Sequence, residues 1–259
     1  MKTILAIGLL LLHAGCMHAQ NNPWKNKQAA VALTYDDALH VHLDKVIPQL
    51  DSFGFKATFY LIGASPAFTT RIADWRKAAA KGHELGNHTL FHPCAGNKPD
   101  RGWVKPDRDL AKYTVQRASD EIMMNQALLE ATDGKKKRTL ACPCGESSIA
   151  DSSFLYKAKE YFVATRDGTP DAVTVNKFKP ANVQWIGADA STENQLVDAM
   201  KKAIADKALL VIVFHGVGGE HSINISLEAH RNLMRFIKQN ESKIWVAPFL
   251  EVAEFMQGN

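Results

Sequence analysis

From residue 29 to the C-terminus, short apolar runs alternate with longer stretches whose apolar positions recur at helical spacing. The first run, Val31-Ala32-Leu33-Thr34-Tyr35, is small and apolar with β-branched and aromatic members, which predicts a buried strand. Similar runs predict strands over 56–62, 83–87, 138–142, 161–165, 183–186, 208–214 and 244–247. Helical spacing predicts helices over 41–53, 68–81, 109–132, 147–158, 192–206, 227–239 and 249–256. Gly54 and Gly82 act as stops, and Pro48 bends the first helix or delays its start. Polar loops fill 93–107 and 167–182. Strands alternating with helices predict an α/β fold built on a parallel sheet, and about eight such units suggest a closed or nearly closed barrel in one domain. A doubly wound open sheet is the alternative. The first βα turn carries no Gly-rich phosphate loop, so nothing supports a nucleotide-binding fold.

Composition changes this picture little. At 259 residues, 46% hydrophobic and 22% charged, the chain has the size of one barrel. The net charge of +4 is mild, and the basic run Lys135-Lys136-Lys137-Arg138 falls where a helix gives way to a strand. It reads as a solvated helix end, not as a nucleic-acid patch.

The first residues stand apart from the fold. Lys2 precedes an apolar run over 4–12, too short to cross a bilayer, and Ala19 offers a signal-peptidase site. The expectation is a signal peptide over 1–19, a short segment over 20–28 and a catalytic domain over 29–259, exported to the periplasm or the outside. Lipoprotein anchoring through Cys16 is the second alternative, because His13 stands where a lipoprotein box carries Leu. Export leaves Cys94, Cys142 and Cys144 where a disulfide is permitted, with at least one thiol outside any internal pair.

The candidate chemistry follows the strands. Asp36 and Asp37 follow the first, His88-Thr89-Leu90-Phe91-His92 the third, Cys142-Pro143-Cys144-Gly145 the fourth, Arg166-Asp167 the fifth, Asp189 the sixth and His215-Gly216 the seventh. In a parallel barrel these ends share one mouth. His88 and His92, read as one helical turn, fall within reach of one cation. With Asp37 they form a His-His-Asp set that leaves a position open for water, as a catalytic zinc site does. Asp36 then takes a proton from the metal-bound water that acts as nucleophile, and His215 protonates a leaving group.

These residues resemble a known family. Thr34-Tyr35-Asp36-Asp37-Ala38 is similar to the first motif (T-F-D-D-G) of the polysaccharide deacetylases, the NodB-homology domain of carbohydrate esterase family four. His88 to His92 matches the second motif (H-[ST]-x-x-H), after the setting Gly82-His83-Glu84-Leu85-Gly86-Asn87, and Val213-Phe214-His215 sits where the fifth motif (L-x-H) belongs. The resemblance covers nearly everything from Ala29 onward. It implies a distorted (β/α) barrel of about seven to eight strands. It also implies a divalent metal, usually zinc, on Asp37, His88 and His92, with Asp36 as base and His215 as acid. The backbone N–H of Cys144 would help hold the oxyanion. The reaction implied is hydrolysis of an N- or O-linked acetyl group from a carbohydrate.

Three departures stand out. Ala38 replaces Gly. In the third motif (R-x-P-[YW]), Ala141 stands for Arg and Cys144 for the aromatic residue, so Arg166 becomes the candidate to orient Asp36; its alternative is a surface pair with Asp167. The fourth motif survives only as Trp185 and Asp189. Cys94 is expected to pair with Cys142 or Cys144. Trp103 is either a sugar-stacking face or a loop anchor. His40 and His42 read as helix-start residues, and His221 as part of the loop after the fifth motif. No segment after the leader is long and apolar enough to cross a membrane. Two rivals share the fold: a hydrolase of a non-sugar C–N amide or imide bond, and a catalytically inactive glycan-binding barrel.

Overall fold

The structure is a computed structural model that describes residues 23–156, 160–166, 173–174, 179–181, 183–188 and 193–258. The leader over 1–19, Cys16, Asp167 and Asp189 lie outside the described residues.

Nine strands form the main sheet: β1 (Ala29–Asp36), β2 (Thr58–Leu61), β3 (Glu84–Asn87), β4 (Arg138–Ala141), β5 (Phe162–Arg166), β6 (Val173–Thr174), β7 (Ile186–Gly187), β8 (Ala208–Phe214) and β9 (Ile244–Val246). Their order is β5-β4-β3-β2-β1-β8-β6, with β9 beside the start of β1 and β7 beside the end of β8. All pairs are parallel except β8 with β6. Val183 N–H donates to Thr165 O and Thr165 N–H to Pro180 O, which ties Pro180 and Val183 to β5; the whole is a single-domain (β/α) barrel.

β1 and β8 form the centre because every residue in both is buried, as their unbroken apolar runs require. Tyr35 stacks between Phe59 and Phe214, with ring centroids 5.0 Å from each. The helix Leu227–Gln239 lies on this core through Leu233, Met234 and Ile237. Before the sheet, Trp24 is buried and its Nε1 donates to Lys207 O.

Several elements differ from their sequence expectation. Within the expected helix over 147–158, residues 148–153 form a two-stranded turn instead, Ser148–Ile149 with Ser152–Ser153; the four serines over 147–153 and Asp151 favour turns over helix interior. The helix expected from 109 begins at Val115. Asp109 and Thr114 both use their side chains as N-caps, the first for the short turn Leu110–Lys112 and the second for the long helix. The 41–53 helix opens as a π-helix, His42–Val46, and becomes α-helical from Ile47 with Pro48 in its first turn. The 68–81 stretch is two helices, Pro66–Thr69 and Ile72–Ala80.

Candidate functional site

Asp36 closes β1, Arg166 closes β5, and His88, Cys142 and His215 directly follow β3, β4 and β8. All of them, with Asp37, His92 and Cys144, line one cavity of about 370 Å³ at the strand-end face. Asp37 and Ala38 then turn out of β1 with φ of 81° and 53°, both in the left-handed region.

The segment 88–92 is not a helical turn. Thr89 and His92 are both left-handed, at φ 63° and 57°. Asn87 Oδ1 accepts from Thr89 N–H at 2.9 Å, and Thr89 Oγ1 accepts from His92 N–H at 2.9 Å. These side-chain bonds replace helical ones and fold the segment back until both imidazoles face Asp37. That is the physical reason for a hydroxyl residue after the first histidine. His88 Nε2 lies 3.5 Å and His92 Nε2 3.4 Å from Asp37 Oδ1.

A cation fits this cluster. The ligand atoms of Asp37, His88 and His92 all fall within 4.8 Å of one another. His88 Nδ1–H donates to Ala141 O at 2.8 Å, which leaves the Nε2 lone pair aimed inward, as a ligating histidine requires. Asp37 Oδ1 is buried with no hydrogen-bond partner. Two imidazoles and a carboxylate suit zinc chemically. His92, Cys94 and Cys144 also cluster, but the two cysteines form a disulfide, so that group offers no thiolate pair.

Asp36 is held differently. Its Oδ2 accepts from Arg166 Nη2 at 2.5 Å, while Oδ1 is buried without a partner. Burial would raise the Asp36 pKa, but the Arg166 charge, helped by His88 and His215, outweighs it and keeps the group below the carboxylate range. Arg166 is 5% exposed, so it is not a surface residue. Its guanidinium lies 4.8 Å over Tyr60 and 5.8 Å from the Trp185 ring, and Nη1 reaches Thr34 Oγ1 at 3.4 Å. Arg166 is the register partner of Ala141 on β4 and reaches Asp36 from β5.

Burial lowers the pKa of His92 to about 4, with the His88 charge adding to it against Asp37. For His88 burial acts the same way, but Asp36 and Asp37 overcome it and raise the pKa. Burial holds His215 below its ordinary value against the pull of Asp36 and Asp37. His215 Nε2 lies 4.0 Å from Asp36 Oδ2.

Two histidines acquire roles that the sequence did not suggest. His42 is fully buried, and its Nε2–H donates to His215 O at 2.8 Å while Nδ1 accepts from Leu39 N–H at 3.3 Å. His221 stacks on His215 at 5.0 Å and turns Nε2 toward Asp37 Oδ2 at 3.5 Å. Its loop is fixed by Glu220, which accepts from His40 and Val41 N–H, and by Lys45, which donates to Gly218 O. Both roles come from contacts between distant elements, which periodicity does not encode.

Cys94 pairs with Cys144, fixing the loop after β4 to the loop after the second histidine; Cys142 is a buried thiol outside that bond. The disulfide spans 50 residues, a loop whose closure entropy corresponds to about 4 kcal/mol. Reduction is therefore expected to lower Tm markedly, as read by thermal melts with and without reductant. The oxidised chain beginning after residue 19 is expected to show one thiol after denaturation; three would contradict the pairing.

The comparisons with known proteins agree with this barrel. The polysaccharide deacetylase family model matches residues 24–163. The chain belongs to the polysaccharide deacetylase family. Among curated relatives it is 25% identical over 197 residues to a peptidoglycan-N-acetylglucosamine deacetylase of Bacillus cereus, covering 75% of this chain and 58% of that protein. It is 26% identical over 260 residues to a gellan lyase of a Bacillus species, covering 90% of this chain but only 10% of that protein. The chain thus spans less than two thirds of the length of either relative. Among solved structures, a peptidoglycan deacetylase of Bacillus subtilis superposes with a TM-score of 0.58 at 16% identity, covering 90% of this chain and 94% of that one. A pseudoenzyme of carbohydrate esterase family 4 from Bacillus anthracis gives 0.55 at 17% identity, covering 88% and 66%.

Proposed function

We propose that this chain is an exported, divalent-cation-dependent hydrolase that removes acetyl groups from a carbohydrate. The observation that carries this reading is the pair of buried, unpartnered oxygens, Asp36 Oδ1 and Asp37 Oδ1, set in one cavity with two inward-facing imidazoles. In this reading Asp37 Oδ1 binds a cation and Asp36 Oδ1 takes a proton. The curated deacetylase relative supports the acetylated-carbohydrate substrate, and the disulfide suits an oxidising compartment.

In this reading Asp37, His88 and His92 hold the cation, most suitably zinc. Once held there, it supplies a water acidified to a pKa of about 7 and polarises the acyl oxygen. Asp36, fixed through Oδ2 by Arg166, takes the proton on Oδ1. His215, fixed by His42 through its carbonyl, delivers a proton to the departing sugar nitrogen or oxygen. The Cys144 N–H, on a left-handed turn at φ 57° in the cavity wall, stabilises charge on the acyl oxygen.

The test is acetate release from a panel of chitooligosaccharides, peptidoglycan fragments and acetylxylan, with chelator and with added zinc. Release abolished by the chelator and restored by zinc is expected. No release from any glycan by a chain that binds one zinc would transfer the reading to a non-sugar amide.

A further inference from the structure

Two cavities lie side by side on the strand-end face, with Asp37, His92, Trp103 and His221 lining both. The first holds Asp36, Arg166 and His215; the second, of about 700 Å³, runs outward past Lys105 and Arg108. Asp36 and Asp37 are the carboxylates that line either cavity among the described residues. Arg166 neutralises one, and the proposed cation takes the other.

Three positive charges then line the two cavities with no further carboxylate in either wall among the described residues. Arg101 lines the first cavity, and Lys105 and Arg108 line the second. Among the described residues, Arg101 Nη1 and Arg108 Nε are buried with no hydrogen-bond partner. Stacking positions both guanidinium groups, Arg101 at 5.7 Å from the Trp103 ring and Arg108 at 5.7 Å from the Phe91 ring. Nearby acids leave these nitrogens without an acceptor. Asp100 and Asp107 are exposed and line neither cavity, and Glu121, which feels the Arg108 charge, is outside both cavities and pairs with Arg117 at 3.3 Å. Guanidinium nitrogens withdrawn from water cost free energy until something accepts their hydrogens.

We propose that the groove takes an anionic glycan, in which a sugar carboxylate beside the acetylated residue is gripped by Arg101, Lys105 and Arg108. A guanidinium fork matches a carboxylate with two parallel hydrogen bonds, which a neutral hydroxyl cannot reproduce. Trp103, 58% exposed at the junction of the two cavities, offers the stacking face for the sugar between them. A uronic acid and a lactyl ether both present this carboxylate. The inference rests on the deacetylase reading and narrows its substrate.

The experiment compares acetate release by the zinc-loaded chain from an acetylated uronic-acid oligosaccharide, from peptidoglycan fragments with free lactyl groups, and from each after reduction of its carboxyls to alcohols. At least one carboxylated substrate is expected to show a KM about tenfold lower than its reduced counterpart, with the advantage eroded by salt. Which substrate does so distinguishes the two carboxylate sources. In an Arg101→Gln, Arg108→Gln chain the KM ratio is expected to fall toward one; circular dichroism checks that this variant folds. Equal KM values for every carboxylated and reduced pair would overturn the anionic groove and leave the deacetylase reading intact. Calorimetric binding of a carboxylated oligosaccharide, without acetate release from any glycan, would do the reverse.

Discussion

Replacing Arg166 with Lys is expected to lower kcat by about two to three orders of magnitude, the range lost when a general base is mispositioned, while zinc content stays at one ion per chain. Lysine keeps the charge but loses the planar group that lies over Tyr60 while donating to Asp36 Oδ2 and Thr34 Oγ1. Asp36 then turns without a fixed direction, and its Oδ1 no longer meets the water's proton in one geometry. Arg166→Ala removes the charge as well and leaves a buried carboxylate unpaired, which costs about 3–5 kcal/mol of stability. The lysine variant therefore separates orientation from folding. Paired with Asp36→Asn, it is expected to add almost nothing to the loss, because both changes remove the same step. Independent, multiplying losses would show that Arg166 acts on something other than Asp36.

Much of this architecture is legible in the sequence, for reasons that differ by element. The runs over 29–36 and 208–214 are apolar throughout because both faces of a central parallel strand are covered, and the helix 227–239 shows its apolar face at strict helical spacing. The turn over 148–153 was not legible as such, since Ile149, Phe154 and Leu155 imitate a helical stripe while the serines take the backbone elsewhere. At the site, strand ends alone collect Asp36, Asp37, His88, Arg166 and His215. How His88 and His92 converge was hidden, because two left-handed residues and two side-chain bonds do what a helical turn was expected to do. The choice of Cys144 over Cys142 as partner of Cys94 depends on the left-handed turn at Cys144, which composition does not reveal. His42 was readable as a helix start. That it holds the His215 carbonyl depends on a β8 loop 173 residues away.

Asp36→Asn and Asp37→Asn, one position apart, are expected to fail in opposite ways. Both residues are acids at the end of the same strand, yet their surroundings differ. Asp36 faces a guanidinium, whereas Asp37 Oδ1 faces His88 and His92; burial would raise the Asp37 pKa, but those two imidazoles outweigh it and hold the group far below the carboxylate range. An amide at Asp37 replaces an anionic ligand by a neutral one, so zinc affinity is expected to fall at least about tenfold to a hundredfold, and activity with it until zinc is added in excess. At Asp36 an amide keeps the size and still accepts from Arg166, but it cannot take a proton. Zinc binding is then expected to be unchanged while kcat falls by about two to four orders of magnitude, beyond rescue by zinc. Calorimetric zinc titration alongside acetate release reads both quantities. If the Asp36 variant lost zinc and the Asp37 variant kept it, the two roles would be exchanged. The cation would then lie toward Arg166, where that residue's charge makes it least welcome.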